Sequence, residues 1–149
     1  MAEAVFRHLA AREGLAVSVD SCGTAGYHIG KPPHEGTRKI LNANGISYAG
    51  IKASRLETRH LTEFDGIIAM DKQNLSGVLR LQNKNSTAWV KLLSDFSDGT
   101  WTDVPDPYYT GDFALTYETF SSTNENKFRI AFLNDVPIAD IRVSREKSV

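Results

Sequence analysis

The 149-residue sequence has little that would tie it to a membrane, to nucleic acid or to a disulfide-stabilised scaffold. It contains one cysteine, so no disulfide can form within the chain, and the cytoplasm is the default compartment. Acidic and basic side chains nearly balance, at 18 and 17, which leaves no strongly basic face. Apolar runs are short, and the N-terminus lacks the basic-then-apolar layout of a signal peptide. We therefore expect a cytoplasmic protein with no nucleic-acid or membrane partner.

What is present is the composition of an ordinary globular domain, with 41% apolar and 23% charged residues. Helix-period patterns alternate with short apolar strand patterns, which predicts an α/β fold with a mainly parallel sheet. The predicted helices cover residues 1–13, 32–45, 58–64, 72–81 and 112–120, and the predicted strands cover residues 15–20, 65–70 and 89–93. Residues 46–48 are predicted to form a short strand or an extended segment. Residues 95–111 are predicted to form a long polar loop. The polar segment after residue 120 is not expected to continue the last helix.

Cys22 follows a predicted strand and precedes a glycine-rich loop, where a thiolate nucleophile would need an anion cradle and a nearby cation. The phosphatase pattern of Cys, five residues and Arg fails, because the sixth residue after Cys22 is His28. A small buried side chain is the favoured interpretation. The spacing of Cys22, His28 and His34 is also wider than structural zinc sites use, so no metal site is expected. The segment Gly23–Gly26 suits either a phosphate contact or an ordinary strand-to-helix turn.

The most unusual stretch is residues 104–111, with the sequence VPDPYYTG. Its two prolines restrict the backbone on both sides of Asp106. A carboxyl held on a stiff loop beside two aromatic rings suits a general acid, and Asp-Pro equally favours a plain turn. Asp103 is the local competitor for the acid role, although no proline flanks it.

Four segments, in order, resemble the low-molecular-weight protein tyrosine phosphatases. Residues 1–6 (MAEAVF) are similar to the helix after that family's phosphate-binding loop, and residues 20–33 (DSCGTAGYHIGKPP) to its substrate-cleft loop. Residues 67–71 (IIAMD) are similar to its third strand, and residues 106–109 (DPYY) to its general-acid loop. The resemblance covers about residues 1–120 and implies a three-layer fold around a mainly parallel, four-stranded sheet.

The resemblance also implies a mechanism. A cysteine thiolate attacks phosphorus, an arginine-containing cradle binds the phosphate oxygens, and an aspartic acid protonates the leaving phenolate. On this basis Asp106 is the acid, and Tyr27, Tyr108 and Tyr109 line the walls around the substrate ring. The implied substrate is a phosphotyrosine protein or a small aryl phosphate, with no metal or other cofactor.

Two departures from the family pattern lead to further expectations. The family's nucleophile, cradle and first, central strand precede the segment that begins here at Met1, so we expect a truncated chain with no nucleophile, an open gap in the sheet and no activity. The segment 121–149 does not resemble the family's last helix, so the chain is divided into an incomplete phosphatase-like domain, 1–120, and an unassigned tail, 121–149.

Two rival functions stay open. One is a non-catalytic protein that binds phosphate esters or a partner. The other is a thioredoxin-type arsenate reductase, which shares the fold but needs redox cysteines beyond Cys22.

Overall fold

Helices and strands alternate along the chain in the computed structural model, which describes residues 1–14, 16–97, 99–127 and 139–145. The helices are α1 (Ala2–Arg12), α2 (Glu35–Ala43), α3 (His60–Glu63), α4 (Lys72–Leu81), α5 (Pro107–Thr110) and α6 (Phe113–Lys127), with a one-turn 3-10 helix at Leu93–Phe96. The strands are β1 (Val17–Gly23), β2 (Gly66–Ala69), β3 (Trp89–Leu92) and β4 (Ala139–Arg145).

Local sequence signals account for most of these elements. Helix α4 begins where expected, because the Asp71 carboxylate accepts a hydrogen bond from the Asn74 backbone N–H at 2.6 Å. Helices α1, α2 and α3 and strands β1, β2 and β3 also form within a few residues of the predicted bounds. The α/β prediction is therefore confirmed.

Residues 46–48 are not in a strand, which excludes the first of the two forms predicted for them. Two other local predictions were wrong. The predicted loop 95–111 includes the helical turn α5, because Pro107 supplies a helical φ at the first position and Asp106 caps it. Helix α6 does not stop near residue 120 but continues to Lys127. Adding residues to a formed helix costs less free energy than nucleating a new one. Because the fully buried Phe120 holds α6 against the core, the polar residues that follow it can continue the helix despite their modest helix propensity.

The sheet differs most from the prediction. Its order is β1-β4-β2-β3, and β4 runs antiparallel to both β1 and β2, whereas only β2 and β3 pair in parallel. The sheet is therefore mixed rather than mainly parallel. The gap expected between β1 and β2 is filled by β4, so the described sheet does not lack a central strand.

Strand β4 pairs along its whole length with β1, from Val17 opposite Arg145 to Gly23 opposite Ala139. It pairs with β2 over the shorter stretch Gly66–Ile68. Its sequence, ADIRVSR, alternates apolar and polar residues, which is the period of a strand. A two-sided ladder satisfies backbone groups that would otherwise form exposed strand edges.

Helices cover both faces of the sheet. Neighbouring residues of β2 separate into two buried clusters, with Ile68 in the larger and Ile67 in the smaller. The larger cluster contains residues of α1, α2 and α6, and the smaller contains residues of α3 and α4. Within the described residues, no helix has the length and apolar character needed to cross a membrane.

Candidate active site

A cleft of about 370 Å³ opens between the start of α2 with its preceding loop and the loop 104–107 with α6. Prolines, Phe113, Val104 and Tyr108 supply apolar and aromatic walls. Two carboxylates, Glu35 and Asp106, and two cationic side chains, Lys31 and Arg38, also line it. A concave apolar site with a few polar groups is the usual form of a small-molecule site.

Asp106 lines this cleft and caps α5. Its carboxylate Oδ1 accepts a hydrogen bond from the Tyr108 backbone N–H at 2.9 Å, and its carbonyl accepts from Tyr109 and Thr110, each at 3.1 Å. Gly111 ends the turn with a φ of 70°, a left-handed conformation that glycine adopts without strain. The turn is therefore present and Asp106 also lines the cleft, while the general-acid role stays a prediction.

The loop that carries Asp106 is anchored to three elements. The Val104 N–H donates to the Met70 carbonyl at 3.0 Å, and the Asp103 carboxylate accepts from the Lys72 N–H at 3.2 Å. From the other side, the buried Thr116 hydroxyl donates to the Pro105 carbonyl at 2.9 Å. Asp103 is thus engaged at the start of α4 and is not among the residues lining the cleft.

The facing wall depends on a stacked pair of rings. His34 caps α2, with its Nδ1 accepting from the Gly36 N–H at 3.0 Å, and its ring stacks on Phe113 with centroids 5.0 Å apart. A Cβ atom at Gly36 would lie 2.5 Å from the Phe113 ring, so only glycine lets α2 and α6 approach this closely.

The three predicted tyrosines are placed differently. Tyr108 lines the cleft, whereas Tyr27 and Tyr109 are not in its lining and are 83% and 79% exposed. Tyr109 packs edge-on against Tyr108 with ring centroids 5.4 Å apart. The structure therefore brings Asp106 and Tyr108 together and leaves the other two at the surface.

Cys22 lies on β1 and is buried, with 2% of its surface exposed. It is absent from the cleft lining, which includes both His28 and His34. In the described part of the chain, no group of three or more His, Cys, Asp or Glu side chains is arranged to hold a metal ion.

A buried carboxyl lies outside the cleft, between α1 and β1. Glu3 accepts a hydrogen bond from the Ser21 hydroxyl and forms an ion pair with Arg7. Burial raises the pKa of Glu3 above its ordinary value, while the Ser21 hydrogen bond and the Arg7 charge oppose that shift.

Sequence reasoning missed His34, Arg38, Phe113 and Thr116 as contributors to the cleft. One signal was available for the first two, since residues four apart on a helix lie on the same face. The approach of α6 to α2 gave no local signal, because it depends on contacts between segments far apart in sequence.

Comparison with known proteins identifies the family and agrees with the fold. The family model described as "Low molecular weight phosphotyrosine protein phosphatase" matches residues 1–130. This match passes residue 120, the boundary expected from the sequence. The proposed truncation and the division at residue 120 are not established by it and stay predictions.

Relatives from bacteria are similar over most of their length. The low molecular weight protein-tyrosine-phosphatase YfkJ of Bacillus subtilis is 47% identical over 116 residues, covering 76% of this chain and 74% of the relative. The low molecular weight protein-tyrosine-phosphatase PtpA of Staphylococcus saprophyticus is 40% identical over 127 residues, covering 85% and 80%.

Solved structures share the fold. The crystal structure of YfkJ from Bacillus subtilis has a TM-score of 0.75 at 43% identity, covering 83% of this chain and 79% of that chain. The crystal structure of Primo-1 has a TM-score of 0.75 at 27% identity, covering 81% and 82%. The chain belongs to the low molecular weight phosphotyrosine protein phosphatase family, whose members are protein-tyrosine-phosphatase hydrolases.

Proposed function

We propose that the cleft is the leaving-group side of a phosphotyrosine site and that Asp106 is its general acid. The observation that carries this proposal is the fixed position of Asp106, which lines an apolar cleft from a proline-flanked helix cap. In this proposal the Asp106 carboxyl, whose Oδ1 accepts the Tyr108 N–H, supplies the proton for the leaving phenolate. Positioned proton donors of this kind contribute about 10²–10⁴-fold to rates.

The aromatic side chains give the proposed site its preference for an aryl ester. Tyr108 forms part of the cleft wall and packs edge-on against the exposed Tyr109, whereas Tyr27 is exposed and outside the lining. In this proposal the three rings flank the phenyl group of the substrate, a phosphotyrosine protein or a small aryl phosphate. Offset or edge-on ring contacts favour such an arrangement.

The nucleophile is a separate question. The family mechanism passes through a cysteinyl-phosphate, and the single cysteine of this sequence is buried on β1 away from the cleft lining. We therefore propose that Cys22 does not attack phosphorus and that the 149-residue chain by itself does not turn over aryl phosphates.

A second candidate function follows from the same observation. A cleft whose lining includes Lys31 and Arg38 but no cysteine suits a protein that binds phosphate esters without hydrolysing them. An arsenate reductase is not favoured, because its redox chemistry needs cysteines in addition to Cys22.

The nucleophile proposal is tested on the chain as it exists. Purified protein and its Cys22→Ser variant are compared on p-nitrophenyl phosphate, and both are expected to match the buffer rate. Turnover that survives repurification and disappears in the variant would make Cys22 the nucleophile and reject this part of the proposal.

The acid role is tested after the family's cysteine-and-arginine loop is joined ahead of residue 1. Asp106→Asn is expected to slow phenyl phosphate hydrolysis about 10²–10⁴-fold and p-nitrophenyl phosphate far less, because a good leaving group needs little protonation. Asp103→Asn keeps the acceptor that bonds Lys72 and serves as the control, with near-normal rates. Equal losses on both substrates, or a larger effect at Asp103, would remove Asp106 from the mechanism.

A further inference from the structure

Arg38 places a positive charge in the cleft that no part of the proposed acid chemistry uses. It lies on α2, lines the cleft and is half-buried. Its Nε atom is buried and has no hydrogen-bond partner among the described residues. A guanidinium has five N–H donors, and leaving a buried donor unsatisfied is costly.

The nearby carboxylates do not form an ion pair with Arg38, although the pKa of Glu35 is lowered first by Lys39 and also by the charge of Arg38. Glu35 forms its ion pair with Lys39, at 2.8 Å between Oε1 and Nζ. In the described part of the chain no carboxylate forms an ion pair with Arg38. An anion entering the cleft would therefore meet a guanidinium whose donors are not already taken.

The surroundings of Arg38 define what kind of anion fits. His34, one helical turn earlier, accepts the Gly36 N–H at Nδ1, so its neutral ring carries the proton on Nε2 and offers a further donor. Phe113 and the cleft prolines provide flat apolar surface beside these donors. The matching ligand combines an aromatic ring with an oxyanion.

We propose that Arg38 is the anion anchor of the cleft and that the chain binds aryl phosphate monoesters through it without needing to hydrolyse them. The guanidinium donates in parallel to two non-bridging phosphate oxygens, the geometry that Arg offers and Lys does not. The ring lies against Phe113 and Tyr108. This inference rests on the proposed function only in placing the ligand in the same cleft.

The test is a calorimetric titration of the 149-residue chain with phenyl phosphate, which measures the binding affinity. Arg38→Gln is expected to weaken binding about 10–100-fold, the range for a lost charge-assisted hydrogen bond. Arg80→Gln is the matched control, because Arg80 is an exposed arginine on α4 outside the cleft lining. The affinity of this variant for phenyl phosphate should stay within about twofold of that of the unmodified chain. Equal weakening by the two variants would reduce the effect to net charge and overturn the proposal.

Two further arms make the assignment specific. Inorganic phosphate is expected to bind more weakly than phenyl phosphate, because it lacks the ring, and equal affinity would reject the aromatic part of the site. Arg38→Lys keeps the charge and the long stem but not the fork, so an intermediate affinity is expected. If Arg38→Gln does not fold, Arg38→Lys carries the comparison, and affinity equal to that of the unmodified chain would overturn the bidentate anchor.

Failure here and failure of the acid assignment are distinguishable. Arg38-dependent binding with no leaving-group effect in Asp106→Asn would reject only the acid role. A leaving-group effect without Arg38-dependent binding would reject only the anchor.

Discussion

The hydroxyl of Thr116 offers a sharp test of how the loop bearing Asp106 is held. Thr116 is 2% exposed, and its Oγ1 donates to the Pro105 carbonyl at 2.9 Å, with the Asp112 carbonyl at 3.2 Å as a second acceptor. Thr116→Val keeps the shape and removes the donor. In this variant the Asp112 carbonyl still accepts a hydrogen bond from the Thr116 N–H at 3.4 Å, so the Pro105 carbonyl is the acceptor that loses its partner. The Pro105 carbonyl is partly buried, so leaving it without its partner should cost about 1 kcal/mol, the lower end of the range for a buried acceptor.

Urea unfolding followed by circular dichroism measures this cost, and each kcal/mol should also lower Tm by about 2–4 °C. Thr119→Val is the control on the same helix, because that exposed hydroxyl donates to the Leu115 carbonyl at 2.9 Å, and its effect should stay within about 0.5 kcal/mol. Amide exchange at Val104, whose N–H bonds the Met70 carbonyl just after β2, should become faster only in Thr116→Val. Equal destabilisation by the two variants, or no change at Thr116, would refute the reasoning.

Three other predictions concern the rest of the fold. The pKa of Glu3 is raised in the folded state, so its ionisation lowers stability as pH rises from the ordinary value, 4.5, through the raised pKa. In thermal melts, Glu3→Gln should therefore compare more favourably with the unmodified chain at pH 7 than at pH 4. A stability difference that does not change with pH would contradict this prediction. Gly36→Ala should destabilise by about 1–3 kcal/mol in urea, because its Cβ meets Phe113, whereas Gly26→Ala, with 3.8 Å of room, should be near neutral. Arg142→Pro should lower the free energy of unfolding by about 3 kcal/mol or more, because proline interrupts a strand that is hydrogen-bonded on both sides. Arg142→Ala should lower it far less. Similar thermal melts for the two variants would argue against a central β4.

Elements with local signals were predictable from the sequence. Helix α4 has its capping Asp71 and its apolar periodicity within one short segment, and the structure places it at the predicted residues. The stiff turn around Asp106 likewise follows from two adjacent prolines. Backbone chemistry of this kind acts over a few residues, so one sequence is enough to reveal it.

Features that join distant segments were not predictable in the same way. The alternation of ADIRVSR marks a strand, but nothing local shows that it enters the sheet between β1 and β2, antiparallel to both. The place of Arg38 in the cleft similarly depends on α6 packing against α2 through Phe113 and Gly36. Tertiary packing decides such positions, and propensity does not record it.

The order of the sheet has a consequence for how the protein is made. Strand β4 is synthesised after every strand it separates, so β1 and β2 leave the ribosome before their shared partner exists. Val17 pairs with Arg145, which is very distant in sequence. Strand pairings of this kind form slowly and leave strand edges unpaired until they form. A nascent chain halted between β3 and β4 would have helices, a β2–β3 pair and an unpartnered β1. The centre of this sheet is thus the last part to be completed, and we expect the growing chain to depend on chaperones until that strand emerges.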